Sequence, residues 1–144
     1  MKKIIYTIIQ MNQLEKDLKF GLCGEKNIYE KLKTISSSKI SKTLNKFAIM
    51  DFESDDFVIE LKTRRIKSNT YCDIMIGVNK INYIRETKRR GIIAYQFKDG
   101  DYYVEITDDV FNKLRLDIGG VERAGTNDIK KMCYYIPTNI LKKF

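Results

Sequence analysis

The chain of 144 residues contains no histidine and only three cysteines. The absence of histidine excludes Ser-His-Asp and Cys-His catalysis and every histidine-ligated metal. Cys23, Cys72 and Cys133 are far apart, odd in number and never form a CxxC pair, so we expect neither a structural zinc site nor a disulfide framework. Any catalysis must therefore use carboxylates, lysine, tyrosine or a metal with oxygen ligands.

Long apolar runs are also missing, and none approaches the ~20 residues of a membrane span. Residues 4–9 follow two lysines and resemble the start of a signal peptide. However, Tyr6 and Thr7 interrupt the apolar stretch, and no small-residue cleavage site follows it. We expect a soluble, intracellular protein with no membrane partner. If the chain is viral, it would act in the host cytoplasm or nucleus, or in the virion.

The charge is unbalanced, with 27 basic and 19 acidic residues giving a net charge of +8. Such a surplus suits a polyanionic partner, because Lys and Arg displace the counterions condensed on nucleic acid. The alternative is a solvated, lysine-rich surface. A length of 144 residues with 43% hydrophobic content predicts a single domain spanning residues 1–144.

The apolar periodicity predicts an α/β (α+β) fold in which helices flank a mixed central β-sheet. Gly91 is expected to end the helix predicted over 78–90. An Asp-Gly pair predicts a hairpin turn at Asp99 and Gly100. Thr107 or Asp108 is expected to cap a short helix. The predicted elements are helices over 25–35, 78–90 and 108–114, strands over 46–52, 57–63, 71–76, 92–97, 102–106 and 132–136, a flexible loop over 119–128, and a final helical turn up to residue 144.

The chemically informative segment is the predicted hairpin that carries Asp51, Glu60 and Lys62. Glu60 and Lys62 are two residues apart on a strand, so their side chains leave the same face. Asp51 lies late on the preceding strand, and a turn within residues 53–56 would return it toward Leu61 and Lys62. We therefore expect Asp51, Glu60 and Lys62 to gather at one end of the sheet.

Two converging carboxylates repel each other unless a divalent cation lies between them. Mg²⁺ prefers such oxygen ligands and retains several waters. A lysine beside a metal-bound water suits phosphodiester hydrolysis, because the cation lowers the pKa of the water and both charges stabilise the developing anion. Asp51 and Glu60 are thus candidate metal ligands, and Lys62 is the candidate that positions the attacking water.

This arrangement resembles the PD-(D/E)xK, or restriction-endonuclease-like, nuclease superfamily, and is similar to small members from large DNA viruses and phages. Asp51 matches the motif aspartate although Met50 replaces the proline, and residues 60–62 match ExK. Residues 21–25 resemble the GxxxE of the first helix in that family. The resemblance implies a restriction-endonuclease-like core, a catalytic Glu25 that completes the metal shell, and a Lys80 directed to the phosphate. The Leu61 carbonyl is a further candidate ligand.

Other interpretations of these residues stay open. Glu60 and Lys62 could form a solvent-facing pair on a strand, and Glu25 could simply favour a helix start. If the first helix is rotated, Glu30 would replace Glu25. The basic cluster after the ExK strand either contacts phosphate or forms a solvated loop; it comprises Arg64, Arg65 and Lys67.

These observations predict a nuclease that hydrolyses phosphodiester bonds in DNA, with RNA as the less favoured substrate, using Mg²⁺ or Mn²⁺. The alternative is a catalytically inactive nucleic-acid-binding or virion/assembly protein on the same fold. The sequence does not give the oligomeric state. Cutting both strands of a duplex calls for two active sites, which would make the enzyme a homodimer.

Overall fold

A computed structural model describes residues 28–36, 39–43, 48–119 and 131–144. Residues 25–27 of the helix predicted over 25–35, and with them Glu25, lie outside the described residues. Within them, the structure is a mixed α+β fold with two sheets. The expected mixed sheet with helices is therefore confirmed.

The larger sheet has six strands: β1 (Ser41–Lys42), β2 (Phe52–Glu53), β3 (Phe57–Thr63), β5 (Arg90–Phe97), β6 (Gly100–Glu105) and β9 (Lys142–Lys143). Their order in the sheet is β1-β2-β3-β5-β6-β9. The central pair, β3 and β5, runs parallel, and the other neighbours are antiparallel. Strand β3 confirms the strand predicted over 57–63.

The smaller sheet has three strands: β4 (Asp73–Gly77), β7 (Arg115–Gly119) and β8 (Lys131–Pro137). Their order is β4-β8-β7, and all neighbours are antiparallel. Strand β4 confirms the strand predicted over 71–76 and β8 the one predicted over 132–136, each with slightly different ends, whereas β7 was not predicted. The chain end also differs from the expectation, because a 3₁₀ turn (Thr138–Ile140) is followed by β9 rather than by more helix.

Three helical segments are described: α1 (residues 28–32), α2 (Val78–Glu86) and α3 (Asp108–Phe111). The Thr107 side chain caps α3 by accepting a hydrogen bond from the Val110 amide, as the sequence predicts. None of the helices among the described residues is long and apolar enough to cross a membrane.

The expectation that Gly91 ends α2 is wrong, because the helix ends at Glu86 and Gly91 lies inside β5. A Cβ on Gly91 would come within 2.2 Å of Ile84 Cγ2. The glycine therefore permits α2 to lie close against β5, which is a packing role and not a helix stop.

The β2–β3 hairpin turns at Ser54, within the predicted range. The Ser54 amide donates to the Phe57 carbonyl at 2.9 Å, and the Phe57 amide donates to Ser54 Oγ at 3.0 Å. The strand predicted over 46–52 is wrong for residues 48–51, which are irregular. Thr43 Oγ1 donates to the carbonyls of Met50 and Asp51 at 2.8 and 3.1 Å, and the Thr43 amide donates to the Asp51 carbonyl at 3.0 Å. Side-chain bonds therefore supplement the backbone pairing of this irregular segment.

Both faces of the central parallel pair are buried, as is usual for parallel strands. Alternate residues of β3 and β5 enter two different clusters. Helix α2 covers one face through Ile81 and Ile84, and α1 covers the other through Ile28 and Leu32. The candidate hairpin therefore sits in the middle layer of three.

Candidate active site

The hairpin register brings the two candidate carboxylates together. Phe52 pairs with Ile59, so Asp51 lies opposite Glu60 one position further along. The Asp51 amide still donates to the Ile59 carbonyl at 3.0 Å. The backbone of Asp51 thus lies beside Ile59 and Glu60, and its side chain extends to Leu61, in the direction that the sequence predicts.

Asp51 is fixed by the backbone of β3. Its Oδ2 accepts a hydrogen bond of 2.9 Å from the Leu61 amide. If β2 were longer, a backbone carbonyl of β2 would accept this hydrogen bond instead. The N–H and C=O of one strand residue point to the same side. The Leu61 carbonyl therefore points toward the side of β3 on which Asp51 lies.

Glu60 is almost completely buried, at 2% relative exposure. Lys62 Nζ lies 2.9 Å from its Oε1, and Lys80 Nζ lies 3.2 Å from its Oε2. The second contact is an ion pair without hydrogen-bond alignment, because Oε2 has no hydrogen-bond partner. Lys80 instead donates to the carbonyl of Ile49.

Burial raises the pKa of Glu60 above its ordinary value. The positive charges of Lys62 and Lys80 act in the opposite direction, and the negative charge of Asp51 adds to the increase. The two carboxylates are therefore close enough for their negative charges to repel. This is the repulsion that a cation between them would relieve.

Helix α2 supplies Lys80 from the face opposite to α1. Glu60 and Lys62 project toward the face that α2 covers, and Lys80 leaves the first half of the helix toward them. The side chain of Lys62 keeps 30% exposure and that of Lys80 keeps 18%. The side chains of the two lysines are therefore partly exposed to solvent, whereas the carboxylate of Glu60 is buried.

The two glutamates considered for the metal shell have different outcomes. Glu25 lies outside the described residues. The side chain of Glu30 is 77% exposed and pairs with Lys33 at 3.0 Å, while Ile28 and Leu32 are buried on the face of the sheet away from Glu60. The structure does not bring Glu30 to the site.

The chemistry of the donor set suits Mg²⁺ or Mn²⁺. Asp51 and Glu60 offer carboxylate oxygens, Glu60 Oε2 lacks a hydrogen bond, and the Leu61 carbonyl points to the same side. Within the described part of the chain, no group of three or more His, Cys, Asp or Glu residues could hold a metal. Two carboxylates are nevertheless compatible with Mg²⁺, because this ion usually keeps several waters.

The basic cluster forms an ordered loop directly after β3. The Arg64 amide donates to the Gln96 carbonyl at 2.8 Å, and the Lys98 amide donates to the Ile66 carbonyl at 2.9 Å. Asp99 accepts from the amide and hydroxyl of Ser68 at 2.7 and 2.6 Å. Arg65 and Lys67 are exposed and Arg64 is partly exposed, so the loop holds all three near the carboxyl end of β3.

The side chain of Tyr95 is completely buried and was not predicted to lie near the site. Tyr95 pairs with Lys62 across the parallel strands, so it shares the face of Glu60. The parallel pairing was the missing information, since alternation alone does not say which strand neighbours β3.

A mixed sheet with two facing carboxylates and an adjacent lysine is the arrangement expected of a protein of the PD-(D/E)xK class. The family described as "Phage putative PDDEXK endonuclease" matches residues 19–144. The chain belongs to this family, which confirms the resemblance and the restriction-endonuclease-like core. A search of curated proteins and a search of solved structures gave no match.

Proposed function

We propose that this protein is a nuclease that hydrolyses phosphodiester bonds in DNA with Mg²⁺ or Mn²⁺. Asp51, Glu60 and the Leu61 carbonyl would hold the cation, which would supply positive charge beside the scissile phosphate. Lys62 would orient the attacking water. Lys80 would leave its ion pair to contact the phosphate.

The observation that carries this proposal is the burial of Glu60 opposite Asp51. Burying a carboxylate is costly, and placing a second one opposite it adds repulsion. Lys62 and Lys80 compensate only part of this cost, because the pKa of Glu60 remains raised. An arrangement that weakens the fold in this way is typical of a functional site.

A second candidate is a nucleic-acid-binding protein without catalysis. The ion pairs of Glu60 with Lys62 and Lys80 favour it, because they fill the place where a cation would bind. Two points favour the nuclease. Glu60 Oε2 keeps a lone pair without a hydrogen bond, and an inert protein has no need for Asp51 opposite Glu60.

The test is cleavage of supercoiled plasmid by purified protein in Mg²⁺, Mn²⁺, Ca²⁺ or chelator, with labelled DNA and RNA of one sequence assayed in parallel. We expect nicking with Mg²⁺ and Mn²⁺, little with Ca²⁺, whose loose coordination positions water poorly, and none with chelator. Asp51→Asn should lose cleavage and Mn²⁺ binding, whereas Glu30→Gln should retain both. Binding of DNA without cleavage under any of these ions would favour the second candidate.

A further inference from the structure

Two buried side-chain atoms in the described part of the chain lack a hydrogen-bond partner, and both belong to one face of the central strand pair. They are Glu60 Oε2 and the hydroxyl oxygen of Tyr95. Buried polar groups in folded proteins are nearly always hydrogen-bonded, so each such atom calls for a physical explanation. That both occur on adjacent strands suggests one explanation for the two.

The strand register makes Glu60 and Tyr95 diagonal neighbours. Glu60 pairs with Ile93 and Lys62 pairs with Tyr95 in the parallel ladder. The side chains of Glu60 and Tyr95 therefore point to the same side, two positions apart along the strands. No direct hydrogen bond joins them. Burial raises the pKa of the Tyr95 hydroxyl, the positive charge of Arg64 lowers it, and the negative charge of Glu60 adds a smaller increase.

Packing explains the ring of Tyr95 but not its hydroxyl. The ring is fully buried and stacks on Phe97 with 5.6 Å between ring centroids. Phenylalanine would make the same contacts and would bury no polar atom. Packing therefore leaves the buried hydroxyl, which lies on the face of the sheet that carries Glu60, without an explanation.

We propose that Tyr95 donates a hydrogen bond to one buried water, which in turn donates to Glu60 Oε2. Tyr95 is then a positioning residue that fixes the orientation of the Glu60 carboxylate. A buried water needs two to four polar partners, and Lys80 Nζ, 3.2 Å from Oε2, can provide a third. A carboxylate oxygen has two lone pairs, so this water and a cation can share Oε2.

The first test is a double-mutant cycle on metal-free protein, with Tyr95→Phe and Glu60→Met. We expect Tyr95→Phe to lower the urea midpoint of the parent and to leave it unchanged or higher when residue 60 is methionine, because the acceptor is gone. Tyr102→Phe is the matched control, since its ring also packs on Phe97, and it should behave alike in both backgrounds. An equal effect of Tyr95→Phe in both backgrounds, or a stabilised single variant, would overturn the proposal.

A crystal structure of the parent decides the matter if Glu60→Met does not fold. It should show one water within hydrogen-bond distance of the Tyr95 hydroxyl and Glu60 Oε2. A direct bond between them, or ordered buried waters elsewhere with none at this place, would overturn the proposal.

The consequence for metal binding rests on the proposed function. Calorimetric titration with Mn²⁺, without nucleic acid, should show about 10-fold weaker binding for Tyr95→Phe, as for outer-shell partners of metal ligands, and no change for Tyr102→Phe. A parent that binds no Mn²⁺ would remove the metal role proposed above, while the mutant cycle would still decide whether Tyr95 serves Glu60. Unchanged Mn²⁺ affinity in Tyr95→Phe would remove Tyr95 as a positioning residue.

Discussion

At the residue scale, the site depends on Glu60, because folding buries its carboxylate and thereby destabilises the charged form. Glu60 is buried beside Asp51, and Lys62 and Lys80 only partly compensate its charge. Function and stability should therefore respond in opposite directions when these residues change. Two predictions follow from the different positions of Lys62 and Glu60.

Lys62→Ala should reduce DNA cleavage by about 10²–10³-fold, a loss typical for a group that stabilises only the transition state. DNA affinity should change little, because the lysine acts on the attacking water and its exposure is limited. Single-turnover cleavage and fluorescence anisotropy measure the two effects. Lys67→Ala, an exposed lysine of the basic loop, is the matched control and should keep the cleavage rate at saturating enzyme. Cleavage by Lys62→Ala at the parent's rate would assign the activity to another site.

Glu60→Gln should stabilise the metal-free protein at neutral pH by about 1 kcal/mol. The folded-state pKa of Glu60 is raised above 4.5, so the folded protein binds more protons than the unfolded chain above that pH. The parent therefore loses stability as the pH rises from 4.5 through the folded pKa, whereas glutamine does not titrate. Urea unfolding at pH 4 and pH 7 should show a gain for the variant that is larger at pH 7. Glu30→Gln, which is exposed, should give no such difference.

At the element scale, β3 was predicted correctly because its seven residues are mostly apolar or β-branched and directly follow a polar turn. The strand before it was overestimated, since contacts from Thr43 and Lys80 to the carbonyls of residues 49–51 do not appear in local sequence. Strand β7 was missed because it has only five residues, and its two alternating apolar residues, Leu116 and Ile118, are too few to indicate a strand. Gly91 looked like a helix end because glycine commonly follows a helix, and its contact with Ile84 depends on how α2 packs on β5, which the local pattern does not show.

The contact of α2 with β5 is the element-level determinant of the site, because α2 carries Lys80. Gly91→Ala should place its Cβ about 2.2 Å from Ile84 Cγ2 and force the helix outward. We expect a loss of about 1–3 kcal/mol in the free energy of unfolding and reduced cleavage. Gly77→Ala is the control, since its added Cβ would meet mainly the flexible side chain of Asn79.

Adding Ile84→Ala to Gly91→Ala should recover part of the cleavage lost by Gly91→Ala, because the smaller side chain frees the space that the new methyl needs. Denaturation and plasmid nicking of the single and double variants measure this. A Gly91→Ala protein as stable as the parent would show that α2 does not depend on this close approach.

At the scale of the whole molecule, positive charge lies at both ends of β3. The loop with Arg64, Arg65 and Lys67 follows its last residue, whereas Arg90 pairs with Phe57 at its first. Arg90 is held by Glu105 in a two-contact ion pair. The composition predicted a polyanionic partner, but only the fold shows that the basic loop adjoins the strand with Glu60.

DNA binding should weaken steeply with salt, with a slope of about −0.9 in log K against log salt for each phosphate contact. Replacing Arg64, Arg65 and Lys67 by alanine together should make the slope less steep by about 3 if all three contact phosphate.

The matched control removes the same charge at the other end of β3 by replacing Arg85, Lys88 and Arg90, which are all exposed. Net charge falls equally in both triple variants, so a general electrostatic effect would change both slopes alike, whereas a binding track on the basic loop would change only the first. Anisotropy titrations at several salt concentrations, on the Asp51→Asn background to prevent cleavage, measure the slopes. A parent whose affinity does not depend on salt would contradict both the nuclease and the non-catalytic nucleic-acid-binding proposals, because each requires phosphate contacts.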